Sequence, residues 1–448
     1  MNLTLSEANA LERKYGCPLY LFDEAAFLAN AARFVSAMRA AYPKYRLSYS
    51  FKTNYTPYVC SLIRALGGDA EVVSAMEYEL ARRVGFPPER IIFNGPDKMG
   101  EIAPALLSGV MVNADHLPEV AFIADFARRH PDRQFAIGLR VNLDLGQSFV
   151  SRFGLDPADL SEAMSYVAGI PNLKVDGLHC HISRCRGLEA WRKRTEIMLS
   201  LADCFFPKEP PRYLDLGSGM FADMEPALAA QFDDIPTYEQ YASVTAALVA
   251  EHYRTCPDGE KPVLLTEPGT TLINRYVSLL ARVEALKTVR GKTLAILNCS
   301  EHNLGETCTL KQLPLRVIPA GEPLAGELRR EFPEVQLPAE TFCEMRPSEI
   351  TAKVSEPAAA APEGIDLVGY TCLEQDILYR NYPGPLVPGD FVLFGNVGGY
   401  SVVYKPPFIR PNCAMVAQKP DGTLHLIRRA ETFEDIFATW VIAESSML

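Results

Sequence analysis

Between about residues 45 and 270, short runs of apolar residues alternate with longer amphipathic stretches. Apolar runs of this length predict buried strands, and the stretches between most of them read as helices, for example at 75–84, 117–129 and 188–204. Repeated β-α units of this size indicate a parallel sheet. The predicted strands are 47–51, 70–73, 91–93, 110–112, 135–141, 174–180, 213–216 and 263–266.

The number of these units predicts an α/β fold, a closed (β/α)₈ barrel of the TIM type. An open, doubly wound sheet is the alternative. In an open sheet the ligand site lies in one crevice, whereas the candidate site residues of this chain follow many different strands. That distribution favours the barrel.

After about residue 275 the pattern changes to strand-like stretches separated by turns rich in Pro and Gly, which predicts a C-terminal all-β domain. The stretches are 276–285, 293–298, 389–394 and 424–428. We therefore expect a barrel domain at 26–275 and a β domain built from 1–25 and 276–448. Within the β domain, the Ala- and Pro-rich stretch 356–363 predicts an exposed loop.

Composition narrows the class of protein. The chain of 448 residues is 48% hydrophobic and 22% charged, as in ordinary globular proteins, and its net charge of −11 argues against nucleic acid or an anionic membrane as partner. The 11 cysteines form no CxxC pair, which indicates a reducing compartment. The N-terminus does not read as a signal peptide, and no apolar run is long enough to span a bilayer. We expect a cytoplasmic protein.

Lys52 is the most informative residue of the chain, because it follows the first predicted strand of the barrel. Strand ends carry the active sites of such barrels. An amine in an apolar site has a lowered pKa and can form a Schiff base with an aldehyde. The alternative is a solvated lysine at a strand end.

Two histidines close the sixth predicted strand, and its alternation puts His179 and His181 on one face. With Cys185 nearby they could bind a metal, but no second ligand cluster accompanies them and we predict no metal. A flat imidazole stacking on a flat cofactor ring is the better interpretation. The alternative is a pair of partly buried histidines.

Two further strand ends carry groups that suit a phosphorylated, pyridine-bearing aldehyde. The turn Gly217-Ser218-Gly219 offers bare backbone N–H groups to a phosphate, although such a turn also serves simply to reverse the chain. Glu267 could pair with a pyridine nitrogen and keep it protonated, or it could be a structural residue before a Pro-Gly turn.

In the predicted β domain, Cys372 and Tyr400 are candidate site residues. A thiol can donate a proton to a carbanion, and a tyrosine hydroxyl beside glycines can bind phosphate. Both could equally be core residues, because cysteine is commonly buried for packing alone.

Taken in order, these segments resemble the fold-type III PLP-dependent decarboxylases, which include the diaminopimelate, ornithine and carboxynorspermidine decarboxylases and share the fold of alanine racemase. The resemblance covers roughly residues 15 to 415. It implies pyridoxal 5'-phosphate (PLP) as cofactor, an amino-acid substrate, and a homodimer in which Cys372 completes the site of the other subunit.

The resemblance also assigns roles by position. It implies that Lys52 is the Schiff-base lysine with Glu71 beside it, that His181 stacks on the ring, that Gly217, Ser218, Gly219 and Tyr400 bind phosphate, that Glu267 pairs with the ring nitrogen, that Cys372 protonates Cα, and that Arg140, Glu374 and Asp376 belong to the substrate side.

Two departures from the family pattern concern the phosphate. The usual Glu-Pro-Gly-Arg ends here in Thr270, so a cation is lost, and the usual His-Ile-Gly-Ser ends in Arg184. We expect Arg184 to supply the missing charge through a bidentate contact. The alternative is that Arg184 begins a solvated basic stretch with Arg186, Arg192, Lys193 and Arg194.

A third departure concerns the substrate, because the residue after the cysteine is Leu373 where diaminopimelate and ornithine decarboxylases have an acid. Leucine cannot pair with a distal ammonium, unless Glu374 takes that role. We therefore expect decarboxylation of a less common amino acid or amino-acid conjugate, such as a carboxynorspermidine-type or siderophore intermediate. The rival functions are an amino-acid racemase on the same fold and a non-catalytic regulatory paralogue.

Overall fold

The computed structural model describes residues 3–320 and 364–441. The predicted loop at 356–363 lies outside the described residues. The chain divides into two compact units. One comprises residues 26–224 and 232–274, and the other comprises residues 1–25, 225–231 and 275–448.

The strands are numbered in chain order. They are β1 Leu19–Asp23, β2 Tyr45–Ser50, β3 Asp69–Val72, β4 Ile91–Phe93, β5 Met111–Ala114, β6 Phe135–Arg140, β7 Leu173–His179, β8 Tyr213–Asp215, β9 Val263–Thr266, β10 Val277–Val289, β11 Lys292–Leu297, β12 Leu315–Ile318, β13 Ile365–Val368, β14 Ile377–Tyr382, β15 Phe391–Phe394, β16 Ala414–Gln418 and β17 Leu424–Arg428.

The helices are numbered likewise. They are α1 Leu5–Tyr15, α2 Glu24–Ala41, α3 Pro57–Ala65, α4 Ala75–Val84, α5 Met99–Ser108, α6 Leu117–Arg128, α7 Pro157–Ala168, α8 Leu188–Phe205, α9 Pro226–Ala229, α10 Tyr238–Val244, α11 Ala246–His252, α12 Thr270–Ile273, α13 Glu301–Leu304, α14 Glu306–Leu310 and α15 Phe433–Phe437, with 3₁₀ turns at Phe51–Thr53, Pro88–Arg90 and Asn274–Tyr276.

Strands β2 to β9 form a closed barrel, which confirms the predicted fold. Neighbouring strands are parallel throughout, and β9 pairs back onto β2 with Leu264 opposite Tyr45. Because all eight strands run the same way, their carboxyl ends meet at one mouth of the barrel. Buried Ile92, Tyr213 and Leu265 pack together in a core cluster of this unit.

The helices of the barrel unit begin and end at residues whose chemistry suits those positions. Helix α4 begins after Ser74, whose hydroxyl accepts the backbone N–H of Glu77, and it ends at Gly85, which has a positive φ of 90°. Helix α7 begins after Asp156, whose carboxylate accepts two backbone N–H groups.

The second unit is built on a nine-stranded sheet whose main path runs β14-β13-β11-β10-β1-β16-β17. Strand β15 pairs with β10 and β12 beside that path. Strand β1, from the start of the chain, lies between β10 and β16. Its residues Leu19 and Leu21 are buried in the core of this sheet with Leu280 and Val416. In the described part of the chain, no helix combines the length and the apolar content needed to cross a membrane.

Candidate active site

Lys52 lies in the 3₁₀ turn that follows β2, at the barrel mouth. Its Nζ is 2.5 Å from Oε2 of Glu71, which is buried in the neighbouring strand β3. The pairing of β2 with β3 sets Ser50 opposite Glu71, and the Ser50 hydroxyl donates to the same carboxylate oxygen. The amine is therefore held by a buried anion, while 30% of the Lys52 side chain remains exposed to the mouth.

Asn94, which follows β4, connects this pair to a second carboxylate. Its amide nitrogen lies 3.1 Å from Oε1 of Glu71 and 2.5 Å from Oε1 of Glu267. Asn113 in β5 donates to the Asn94 carbonyl oxygen and thereby fixes which end of that amide faces the carboxylates. The Tyr213 hydroxyl in turn donates to Asn113. Sequence reasoning missed both asparagines, although Asn94 directly follows a predicted strand.

Glu267 follows β9 and is almost completely buried. Its Oε1 lies 3.3 Å from Nε2 of His179, and its Oε2 lies 3.9 Å from Nδ1 of His181. Burial opposes ionisation, but the charge and hydrogen bonding of His179 and the charge of Lys52 together hold the pKa of Glu267 well below its usual range. A permanently ionised carboxylate of this kind can keep a pyridine nitrogen protonated.

The pKa of Asp215, at the end of β8, is shifted in the opposite direction. Burial and the neighbouring Glu267 anion raise its pKa well above the usual range. The pKa values of these two neighbouring carboxyl groups are therefore shifted in opposite directions. An Asp215 carboxyl oxygen also accepts the backbone N–H of Gly217 and so fixes the start of the glycine turn.

Gly217 is required in that turn by its conformation and by its surroundings. It has a φ of 62°, and a Cβ on it would strike the carbonyl oxygen of Cys180 and the ring of His181. Ser218 donates its backbone N–H to Nδ1 of His181, 3.2 Å away. The N–H of Gly219 has no hydrogen-bond partner in the described part of the chain, so it is available to an anion.

His181 is held as a flat, neutral ring above this turn. Desolvation and the positive charge of Lys52 lower the pKa of His181 well below its usual range. Because Nδ1 accepts the N–H of Ser218, the ring hydrogen belongs to Nε2, an assignment that rests on this hydrogen bond. A cavity of about 260 Å³ lies beside His181 and is lined largely by residues 149–153.

The two arginines predicted near the site lie in different environments. Arg140 ends β6, is buried, donates to Asp115 at 3.1 Å, and has its guanidinium 4.6 Å from the centre of the Phe153 ring. Arg184 is exposed and has a positive φ of 68°. The substrate role of Arg140 and the phosphate role of Arg184 stay predictions.

Three buried groups of the barrel could also hold a metal ion by geometry alone. His179, Asp215 and Glu267 bring one ligand-type atom each to within 4.8 Å of one another. Within this cluster His179 lies beside Glu267, and the pKa of Asp215 is raised. Cys185 is not part of the cluster, and the prediction that the protein uses no metal stays a prediction.

Cys372 and its neighbours belong to the other unit, where they form a tight turn after β13. Asp376 is buried and its carboxylate accepts the backbone N–H groups of Glu301 and Thr371 and the Thr371 hydroxyl. Its own N–H donates to the carbonyl of Leu373. Asp376 therefore stabilises the turn, and its predicted contact with substrate stays a prediction.

This turn presents its central residues to solvent. Cys372 and Glu374 are exposed and Leu373 is partly buried. Tyr400 lies in the same unit, follows Gly399 and has a positive φ of 54°. The sequence and the structure place Cys372 and Tyr400 on loops after strands, and their catalytic and phosphate-binding roles stay predictions.

The barrel residues fit PLP on chemical grounds. An amine that can bind an aldehyde, an ionised buried carboxylate and a flat neutral imidazole all converge at the mouth, as the three atoms Lys52 Nζ, Glu267 Oε2 and His181 Nδ1 show. The turn at Gly217 leaves no room for a side chain and offers a free N–H to an anion. Each part of the cofactor therefore has a matching group.

Comparison with known proteins agrees with this fit. Residues 28–274, more than half of the chain, match the family described as "Pyridoxal-dependent decarboxylase, pyridoxal binding domain". Diaminopimelate decarboxylase from Neisseria meningitidis serogroup A is 25% identical over 445 residues, which is 96% of each chain. L-glutamyl-[BtrI acyl-carrier protein] decarboxylase from Niallia circulans is 25% identical over 481 residues, covering 100% of this chain and 99% of that protein.

Among solved structures, diaminopimelate decarboxylase from Helicobacter pylori complexed with L-lysine matches with a TM-score of 0.76 and 21% identity, covering 96% of this chain and 98% of that one. This similarity supports the fold. The family match, taken with the lysine, carboxylate and imidazole gathered at the barrel mouth, supports the chemistry. The chain belongs to the pyridoxal-dependent decarboxylases of fold type III, and it is a PLP-dependent carboxy-lyase that acts in amino acid metabolism.

Proposed function

We propose that this enzyme removes the α-carboxylate of an amino-acid conjugate whose distal end carries no free ammonium group. The observation that carries the proposal is the turn at 369–376, in which an exposed Cys372 is followed by Leu373. A thiol at this place suits protonation of the carbon that has lost carbon dioxide. A leucine next to it has no charge with which to bind a distal ammonium.

Each barrel residue has a part in the proposed mechanism. When bound, PLP supplies a conjugated, positively charged ring that stabilises the electron pair left on Cα as carbon dioxide departs. Lys52 would hold the cofactor through its Nζ, and Glu71, 2.5 Å from that atom, would take up and return the lysine proton. Glu267 would keep the ring nitrogen protonated, and His181 would fix the plane of the ring.

The last step of the proposed mechanism belongs to Cys372, which delivers its Sγ proton to Cα. A racemase would instead need two opposed acid–base groups at Cα, and a decarboxylase needs only this one donor. The backbone of the turn that carries Cys372 is fixed by the buried Asp376 carboxylate. This supports decarboxylation over racemisation on the same fold.

The proposed substrate class follows from Leu373 and is supported by one relative. Of the two acids in this turn, Glu374 is exposed, whereas Asp376 is buried and its carboxylate holds the turn together. The Niallia circulans relative, which spans the whole chain, acts by its name on a glutamyl group carried by an acyl-carrier protein. Such a substrate has no distal ammonium. A conjugated amino acid therefore suits this chain better than free lysine, ornithine or diaminopimelate.

A substrate panel tests this proposal by release of carbon dioxide from the purified, PLP-loaded enzyme. The panel holds both enantiomers of lysine and ornithine, the diaminopimelate isomers, carboxynorspermidine, diaminopropionate conjugates and a glutamyl thioester. We expect release from a conjugate and none above background from the free diamino acids. Efficient release from diaminopimelate, lysine or ornithine would refute the substrate class, and inversion at Cα without carbon dioxide would identify a racemase.

We also propose that the enzyme is a homodimer in which Cys372 of the partner subunit completes each site. The exposure of Cys372 on a fixed turn supports this arrangement. The predicted cytoplasmic location suits such an enzyme because its thiol must stay reduced.

Mixing two inactive variants tests the shared site. Lys52→Ala and Cys372→Ala proteins, dissociated and reassociated together, are expected to regain about a quarter of the wild-type activity, because half of the random dimers contain one intact site. Activity is measured as carbon dioxide release after mixing. Cys204→Ala, a change at another exposed cysteine, is the control and should be active alone. No recovery on mixing, with dimers present, would contradict a site shared between subunits.

A further inference from the structure

Arg194 is a completely buried arginine behind the glycine turn of the barrel. It lies in α8, and its guanidinium donates to three backbone carbonyl oxygens, those of Leu216 and Ser218 at 3.0 Å and that of Ile182 at 3.2 Å. Its Cζ lies 4.0 Å from the centre of the Trp191 ring. One alternative interpretation of the sequence made this arginine a member of a solvated basic stretch. The structure contradicts that interpretation for Arg194.

The positive charge of Arg194 has no anion of its own in the described part of the chain. No aspartate or glutamate there lies within ion-pair distance of it, and its Nε has no hydrogen-bond partner. Burial lowers the pKa of Arg194, as expected for a cation withdrawn from water. Leaving a buried charge unpaired is costly, and arginine has no neutral form near pH 7. A ligand that brings a negative charge would remove that cost.

The contacts of Arg194 also decide which way the turn faces. By drawing the carbonyl oxygens of Leu216 and Ser218 to the rear, the guanidinium turns backbone N–H groups of the same peptides away from itself. The free N–H of Gly219 lies in this turn. The N–H of Gly217 is taken by Asp215 and that of Ser218 by His181, so in the described part of the chain the Gly219 N–H is the one that this turn leaves for an anion. Arg194 therefore acts on the turn by geometry and by charge.

Positions 184 and 270 are the two other places where a cation for the phosphate is expected, and neither supplies a buried positive charge. Thr270, at the start of α12, is uncharged and stands where the resemblance expects arginine. Arg184 is exposed to solvent, where its charge is screened. Arg194 is the cation that is both desolvated and hydrogen-bonded to the turn.

We propose that Arg194 is a positioning residue for the cofactor phosphate, which orients the Gly219 N–H of the turn 216–219 and supplies from behind it the positive charge that Thr270 does not provide. The proposal rests on the proposed assignment of this turn to the phosphate. It is independent of which amino acid the enzyme decarboxylates.

The test compares the binding of PLP with that of pyridoxal, which has no phosphate, to the cofactor-free enzyme. Binding is followed by the absorbance of the cofactor, so activity is not needed. In Arg194→Gln we expect the dissociation constant of PLP to rise at least about tenfold, with that of pyridoxal unchanged. Adding Thr270→Arg to this variant should restore PLP binding, because it returns a cation from the other side. Lys193→Gln, which removes an exposed cation from the same helix, is the matched control and should bind PLP as the wild type does.

Different results separate the possible failures. Equal weakening of PLP and pyridoxal in Arg194→Gln would mean that Arg194 only holds the fold, and unchanged PLP binding would also overturn the proposal. A wild-type enzyme that does not distinguish PLP from pyridoxal would refute the assignment of the turn to the phosphate instead. If no substrate of the panel releases carbon dioxide, these binding measurements remain valid, because they do not depend on activity.

A second variant covers the case in which Arg194→Gln does not fold. Thr270→Arg is then introduced together with Arg184→Ala into a chain that keeps Arg194. If Arg194 already provides the charge, the added arginine should leave the preference for PLP over pyridoxal nearly unchanged. A gain of about tenfold or more in that preference would show that the phosphate had no effective cation, and the proposal would fall.

Discussion

Replacing Lys52 by alanine is expected to lower the rate of decarboxylation by at least about 10²–10⁴-fold, the range that a positioned acid–base group contributes, with loss of the covalent tether added to it. The Lys52 amine is the group that binds the cofactor aldehyde. In the proposed mechanism the Glu71 carboxylate beside it exchanges a proton only with this amine. The rate is measured as carbon dioxide release under single-turnover conditions. The retained cofactor is measured by its absorbance after gel filtration, which should fall in parallel.

Lys44→Ala is the matched control for this change. Lys44 lies just before the same strand, at the opposite end of the barrel, and its Nζ donates to the carbonyl oxygens of Gly259 and Lys261. Its removal can cost some stability but should leave the rate and the bound cofactor unchanged. If Lys52→Ala kept both activity and covalently bound cofactor, another amine would have to be the attachment point.

Replacing Glu267 by glutamine is expected to lower kcat by roughly 10²-fold or more, the loss typical of a preorganised electrostatic contact. Glutamine has nearly the same shape and can still accept the Asn94 amide, but it cannot keep a positive charge on the ring nitrogen. The pKa of Glu267 is held well below its usual range, so the wild-type side chain is an anion near neutral pH. The change should therefore act on kcat far more than on cofactor binding.

The distinguishing measurement is kcat alongside the dissociation constant of PLP. Glu251→Gln, which removes an exposed carboxylate paired only with Arg254, is the control and should change neither value. A Glu267→Gln enzyme with unchanged kcat would mean that the ring nitrogen is not held by this carboxylate. A variant that no longer binds PLP would place the effect on the folding of the site rather than on the chemistry.

The barrel could be predicted from sequence because each strand is a short apolar run followed by a helix, and this pattern is local. The same reasoning located Lys52, His181 and Glu267 at one mouth, since parallel strands end on the same side. Glu71 was added only by the family resemblance, and the structure brings these four residues together. Strand bounds differ by only a residue or two, as at Met111–Ala114, predicted at 110–112.

The residues that connect the site could not be found in this way, because a single sequence does not show which polar groups meet. Asn94 and Asn113 look like ordinary turn and strand residues until the barrel places them between two carboxylates. Arg194 sits among charged neighbours on a helix, so its local pattern indicates a solvated face. Only the packing of α8 over the glycine turn shows that its guanidinium is buried.

The contacts of segment 225–231 with distant parts of the chain could not be predicted from the local sequence pattern either. These residues lie in the middle of the barrel sequence, yet they belong to the compact unit that contains the β sheet. Gln231 accepts from Lys311 and donates to the carbonyl of Gln312, far along the chain. Contacts of this kind leave no periodic signal.

The amide of Asn94 has a consequence for the movement of protons between the two carboxylates that it joins. Carboxylates linked directly would share a proton, but an amide neither takes one up nor releases one near neutral pH. Glu71 can therefore exchange a proton with Lys52 while Glu267, hydrogen-bonded to the same asparagine, stays an anion. Asn94 therefore fixes the positions of the two carboxylates relative to each other without transferring a proton between them.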